Sequence, residues 1–140
     1  MLPRIIEGQA YNDNRGVLYY NNNFNASAIK RVYFIENRDT DFVRAWQGHK
    51  IEQRWFGAVN GKFEVKLIEV DNWEAPSLDL KQHVLTISAE KLDLLHIPAG
   101  YISSIRSLTD DAKLLVMADH GLGELKDEYR YDAEYFNVNK

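Results

Sequence analysis

Residues 54–70 read Arg54-Trp55-Phe56-Gly57-Ala58-Val59-Asn60-Gly61-Lys62-Phe63-Glu64-Val65-Lys66-Leu67-Ile68-Glu69-Val70. Two β-type runs meet at Asn60-Gly61. Asn-Gly is the strongest short hairpin signal, because both residues tolerate the positive φ of a type I′ turn. The second arm alternates with period two. Phe63, Val65 and Leu67, with Glu69 in the same phase, face one way; Lys62, Glu64, Lys66 and Ile68 face the other.

The same grammar runs outward from this hairpin. Upstream, Arg4-Ile5-Ile6, Val17–Tyr20, Ile29–Ile35 and Phe42–His49 read as strands, broken at Asn12–Gly16, Asn21–Asn23 and Asp39–Asp41. Downstream, His83–Ile87, Leu92–Ile97, Tyr101–Leu108 and Lys113–Ala118 follow, with stops at Pro98-Ala99-Gly100 and Thr109-Asp110-Asp111. Only the stretch Glu124–Tyr129 differs; it fits a helical turn or a loop across a barrel mouth. No repeat, linker or low-complexity run interrupts the pattern. About nine or ten short strands with no long helix predict an all-β sandwich or barrel. A closed antiparallel barrel removes exposed edges and leaves an interior.

A chain of 140 residues is the length of one domain, and residues 1–140 are read as one. At this size about two-thirds of the unfolded surface is buried, so a core forms without staples. With no cysteine, disulfides and thiolate metal sites are excluded, and a reducing cytoplasm is the simplest location. No window approaches the ~20 apolar residues that span a bilayer, and the opening Met1-Leu2-Pro3-Arg4 lacks the apolar run of a signal peptide. A net charge of −4, with both signs interspersed, argues against nucleic acid as a partner. Eight Tyr, six Phe and three Trp supply core volume or line a ligand cavity; composition leaves both open.

Several segments then occur in a telling order: Ile29–Ile35, Arg44-Ala45-Trp46-Gln47-Gly48-His49-Lys50 with Gln53 after it, Val59–Val65, Leu95-His96-Ile97-Pro98-Ala99-Gly100, and Asp127–Asp132. Together they resemble the WxcM-like sugar 3,4-ketoisomerases and their relatives, the dTDP-4-dehydrorhamnose 3,5-epimerases. The resemblance runs from about residue 13 to residue 136. It implies an RmlC-like cupin, an antiparallel double-sheet jelly-roll barrel. The implied ligand is a dTDP-sugar, the implied cofactor is none, and relatives of this type pair as homodimers.

The ketoisomerase segment usually reads Arg-Gly-x-His-x-His-Lys. Arg44 matches its Arg and His49 its second His, while Gln47 stands at the first His, the family's presumed base. A Gln amide orients or donates but takes no proton near neutrality. Metal-binding cupins use His-x-His, a Glu, and a later His after Pro-x-Gly. Here the first pair is reduced to His49, and Tyr101, Ile102, Ser103 and Ser104 follow Gly100. Two ligands are missing, so no metal is expected.

Isomerisation or epimerisation beside a 4-keto group needs a base for the carbon acid and a donor for the enediolate oxygen. Gln47 and His49, two apart on one strand, share a face. His49 is the candidate base; the alternative is a hydrogen-bonded barrel histidine. Tyr33 is the candidate donor, or else an ordinary strand aromatic. Arg44 is the candidate for the diphosphate, for which a guanidinium fork is suited. Arg106 lines the same cavity or makes an exposed salt bridge, and Trp55 stacks on the ligand or packs in the core. His96 reads as a core or rim histidine. Three functions compete: a nucleotide-sugar isomerase or epimerase, a non-catalytic sugar-nucleotide or carbohydrate binder that has lost its base at Gln47, and a barrel that only mediates assembly.

Overall fold

In a computed structural model that describes residues 1–137, the Asn-Gly turn joins two long antiparallel strands. Gly61 sits at φ 65°, and a Cβ there would collide with the Thr109 hydroxyl, so the turn demands glycine twice over. Among the described residues twelve strands are present in chain order: β1 Arg4–Ile6, β2 Gln9–Asp13, β3 Gly16–Tyr20, β4 Arg31–Ile35, β5 Val43–His49 and β6 Arg54–Asn60, then β7 Lys62–Glu69, β8 Gln82–Ser88, β9 Leu94–Ile97, β10 Tyr101–Ser107, β11 Lys113–Ala118 and β12 Tyr129–Arg130.

Two five-stranded sheets face each other, ordered β1-β9-β6-β11-β4 and β12-β5-β10-β7-β8. Every pairing is antiparallel. This is the double-sheet barrel of the RmlC-like cupins. The hairpin β6–β7 carries the chain from one sheet to the other. The core between them is built from alternate residues of both: Phe56 and Ala58, Phe63, Val65 and Leu67, Leu95 and Ile97, Leu114 and Val116. Phe63, Val65 and Leu67 are completely buried. Such burial stabilises by about 1.5–3 kcal/mol per side chain.

Three local expectations change and one open alternative closes. The run Gln9–Asp13 is a strand that pairs with β3, making a separate exposed ribbon. Its turn is set by the Asp13 carboxylate, which accepts from Arg15 N–H at 2.9 Å. The strand expected from Ile29 begins at Arg31, because residues 26–28 form a 3-10 turn capped by Asn25. Of the two readings of 124–129, helical turn or loop, the loop is present, running into β12. Finally, Ile68 is buried despite its polar-face phase. It packs outside the second sheet against Trp46, Val70, Ile102 and Phe136, where the C-terminal segment straps the barrel.

Candidate functional site

The site begins with a fault in a strand. β5 and β10 pair in register from Tyr101↔His49 to Ser103↔Gln47, and the register then shifts so that Ile105 lies opposite Arg44. Strict alternation would put Arg44 on the opposite face from Gln47. The bulge places it on the same face, as bulges beside functional sites often do. Arg44, Gln47 and His49 therefore line one cavity with Tyr33, Glu52, Arg54, Tyr101 and Ser103. Between them, Gly48 lets the strands close up; a Cβ there would strike the Tyr101 carbonyl oxygen.

The cavity holds about 40 Å³ and opens beside a polar chamber of about 200 Å³ that shares His49, Glu52 and Arg54. Together they approach the lower end of the ~300–1,000 Å³ of small-ligand sites. Residues 120–123 of the mouth loop, with Leu125, Asp127 and Glu128, wall the chamber. Beyond the lip formed by Arg44 and Gln47, an outer groove of about 510 Å³ also carries Arg130.

His49 is 7% exposed. Its Nδ1 lies 3.0 Å from the main-chain carbonyl of Asp127 and 3.4 Å from Glu52 Oε2. A carbonyl oxygen only accepts, which assigns the ring hydrogen to Nδ1 and leaves Nε2 with a free lone pair. Burial, then the Arg54 guanidinium, hold the His49 pKa below the ordinary 6.5, against the opposing pull of Glu52. The ring is thus neutral near pH 7, and its approach to Glu52 is a neutral N–H facing a carboxylate.

Glu52 Oε2 also meets Arg54 Nη2 at 3.4 Å. Arg54 donates through Nη1 to the Tyr33 hydroxyl oxygen, so the Tyr33 proton is free for another acceptor. Gln47 donates its amide N–H to Glu128, which Arg130 also contacts at 3.3 Å. Arg44 reaches Asn37 Oδ1 at 3.3 Å and is otherwise open to solvent.

Two expected residues lie elsewhere. Trp55 points out of the barrel, stacked on His96 with ring centroids 5.0 Å apart and packed near Ile6 and Leu94. Arg106 is exposed on the outer face of β10, donating to the Thr40 carbonyl at 3.0 Å. Period two explains both: Phe56 and Ile105 point inward, so their neighbours point out. The same rule would have found Arg54, in phase with Phe56. Glu52 and Asp127 lie in loops, where periodicity gives no signal. His96 is buried, its Nε2 2.7 Å from Gln53 Oε1. Among the described residues, no three His, Asp or Glu side chains cluster as a metal site.

A double-sheet antiparallel barrel with an apolar core and one polar, open end defines a cupin fold. The chain belongs to the WxcM-like, C-terminal (FdtA) family, whose model matches residues 1–140. Its fold is similar to that of a histidine-to-asparagine mutant of the 3,4-ketoisomerase QdtA from Thermoanaerobacterium thermosaccharolyticum, solved in complex with TDP-4-keto-6-deoxyglucose. The TM-score is 0.73 at 23% identity, over 94% of this chain and 90% of that one. A 3,4-ketoisomerase from Helicobacter canadensis is 28% identical at a TM-score of 0.65, over 89% and 87%. ChmJ, a 3'-monoepimerase from Streptomyces bikiniensis in complex with dTDP-quinovose, matches at 0.74 and 16%, over 94% and 70%. No curated protein matches the chain.

Proposed function

We propose that this chain is a nucleotide-sugar isomerase or epimerase that acts on a dTDP-linked 4-keto-6-deoxyhexose. One observation carries the reading: a buried, neutral histidine whose Nδ1 is engaged and whose ring lines a cavity beside a tyrosine hydroxyl. His49 Nε2 removes the proton on the carbon next to the keto group. The imidazolium so formed faces Glu52, and the enediolate oxygen takes a hydrogen bond from Tyr33. In isomerisation Tyr33 gives its proton to the former keto oxygen and takes the one from the adjacent hydroxyl, while His49 returns its proton to the former carbonyl carbon; in epimerisation the same carbon takes a proton from solvent on its other face and His49 gives its own to solvent. Gln47, held by Glu128, orients the sugar and moves no proton. Arg44, on the lip of the outer groove, takes the diphosphate.

The fold of ligand-bound relatives and the family membership support this reading. Exposed apolar side chains on the ribbon, Tyr11, Leu18 and Tyr19, and on the edge strand β4, Val32 and Phe34, support a homodimer. The cysteine-free composition suits a reducing cytoplasm. Gln47, where the family pattern that the chain resembles has a histidine, favours a second reading in which the barrel binds the sugar nucleotide without turning it over.

The deciding experiment incubates the protein with dTDP-4-keto-6-deoxyglucose in D₂O and follows the sugar protons by NMR. Exchange at a carbon beside the keto group is expected, slowed about 10²–10⁴-fold in His49→Ala, the usual contribution of a general base. Exchange indifferent to that change removes His49 from the mechanism. Tight binding with no exchange selects the binder.

A further inference from the structure

A histidine base works only in the right tautomer, and one residue grips His49 in two ways. We infer that Asp127 is the positioning residue of His49, fixing both its strand end and its ring; the inference rests on His49 being the base. Asp127 is 4% exposed. Its carboxylate accepts the backbone N–H groups of Lys50 at 3.0 Å, Ile51 at 2.9 Å and Glu52 at 2.8 Å. These are the three residues that follow His49 as β5 ends. Charge-assisted bonds of this kind are stronger than neutral ones, and three of them hold the backbone firmly.

The carbonyl of the same residue accepts from His49 Nδ1. An unconstrained neutral imidazole in water prefers its hydrogen on Nε2, which would turn the reactive nitrogen into a donor. The Asp127 carbonyl reverses that preference. The side chain makes the carbonyl's position a consequence of the backbone it grips, so ring and strand end move as one piece. The third amide in the clamp belongs to Glu52, so Asp127 also fixes the carboxylate that faces the imidazolium. A residue that only capped a turn would have no reason to aim its carbonyl at a cavity histidine 78 positions away.

The test is long-range ¹H–¹⁵N NMR on the full-length protein, with the His49 signals assigned by their loss in His49→Gln. His49 is expected in the Nδ1–H form. In Asp127→Ala it shifts toward Nε2–H, the midpoint of the pH profile falls further below 6.5, because the Asp127 carbonyl and carboxylate both raise the His49 pKa, and deuterium exchange at the sugar falls about tenfold or more as part of the general base's contribution is lost. Asp127→Asn, which keeps one accepting oxygen, lies between. A wild-type His49 in the Nε2–H form overturns the inference whatever the variants do. So does an unchanged tautomer in a folded Asp127→Ala; should that variant not fold, Asp127→Asn is read the same way. A tautomer that shifts as expected in a protein showing no exchange upholds the positioning role and sinks the isomerase reading.

Discussion

β5 and β7 flank β10 in the same sheet and send side chains toward the same interior, yet they build opposite things. β7 keeps one unbroken register with β10, from Tyr101↔Glu69 to Ser107↔Phe63. Its inward residues are Phe63, Val65 and Leu67, and no solvent reaches them. β5 loses register between Ser103 and Ile105, and its inward residues are Arg44, Gln47 and His49. Regular pairing makes a packed floor. An interrupted pairing, with a glycine that admits close approach, makes a polar wall. The rigid strand supports the reactive one: β10 is held on one side by apolar packing and carries Tyr101 and Ser103 to the cavity on the other.

This contrast breaks most visibly on the β7 side. Phe63→Ala should cost about 3–5 kcal/mol of stability, because a fully buried ring leaves a cavity that the sheets cannot close. Denaturant unfolding reads this as a lower midpoint at unchanged slope. A loss below about 1 kcal/mol would mean that the floor is loosely packed.

On the β5 side the expected effect is on the ligand. Arg44→Ala should weaken dTDP-sugar binding by about 1.5–3 kcal/mol, the worth of a hydrogen bond to a charged group, or roughly ten- to a hundredfold. Arg106→Ala, one step past the bulge on the outer face, should change binding by less than about 0.5 kcal/mol. Calorimetry on the pair checks the bulge itself. Equal effects would mean that the two arginines share a face.

The smallest effect is on pH. With His49 as the proposed base, activity needs it unprotonated, and burial followed by Arg54 lowers its pKa below 6.5. The pH profile of kcat/KM should therefore be flat above 6.5 and fall only on the acid side of it. Stability follows the same sign. His49 and His96, the latter depressed first by burial and then by Arg4, take up protons more readily in the unfolded chain. Their contribution is present above about 6.5 and is lost as pH falls below that value. His96→Gln should flatten the slope of melting temperature between pH 6.5 and the acid limb without moving the activity profile.

The hairpin, the strand sequence and the shared face of Gln47 and His49 were legible because each is local: a turn dipeptide, an alternation, a two-residue step. Tyr33 entered by resemblance and does line the cavity. Trp55 and Arg106 were assigned by residue type, although counting alternation from Phe56 and Ile105 puts them outside. Arg44 shows the reverse failure. Alternation alone would have excluded it, since nothing in Ala45-Trp46 announces a bulge. Asp127 and Glu52 had no periodic signal at all, because their roles come from contacts between loops remote in sequence. The strap was hidden in the same way: Trp46 and Ile68 look like faults in the outer face until Phe136 is laid over them.

The strap and the Asp127 clamp have a consequence during synthesis. His49 leaves the ribosome 78 residues ahead of the carbonyl that orients it. At ~5–20 residues per second that interval lasts roughly 4–16 s. A nascent chain can thus pair up β1 and β4 through β11, leaving only β12 of the main sheets to add, before the Asp127 carbonyl reaches the imidazole. If His49 is the base, an abortive product that stops short of residue 127 would be folded in part and lack the contact that orients it.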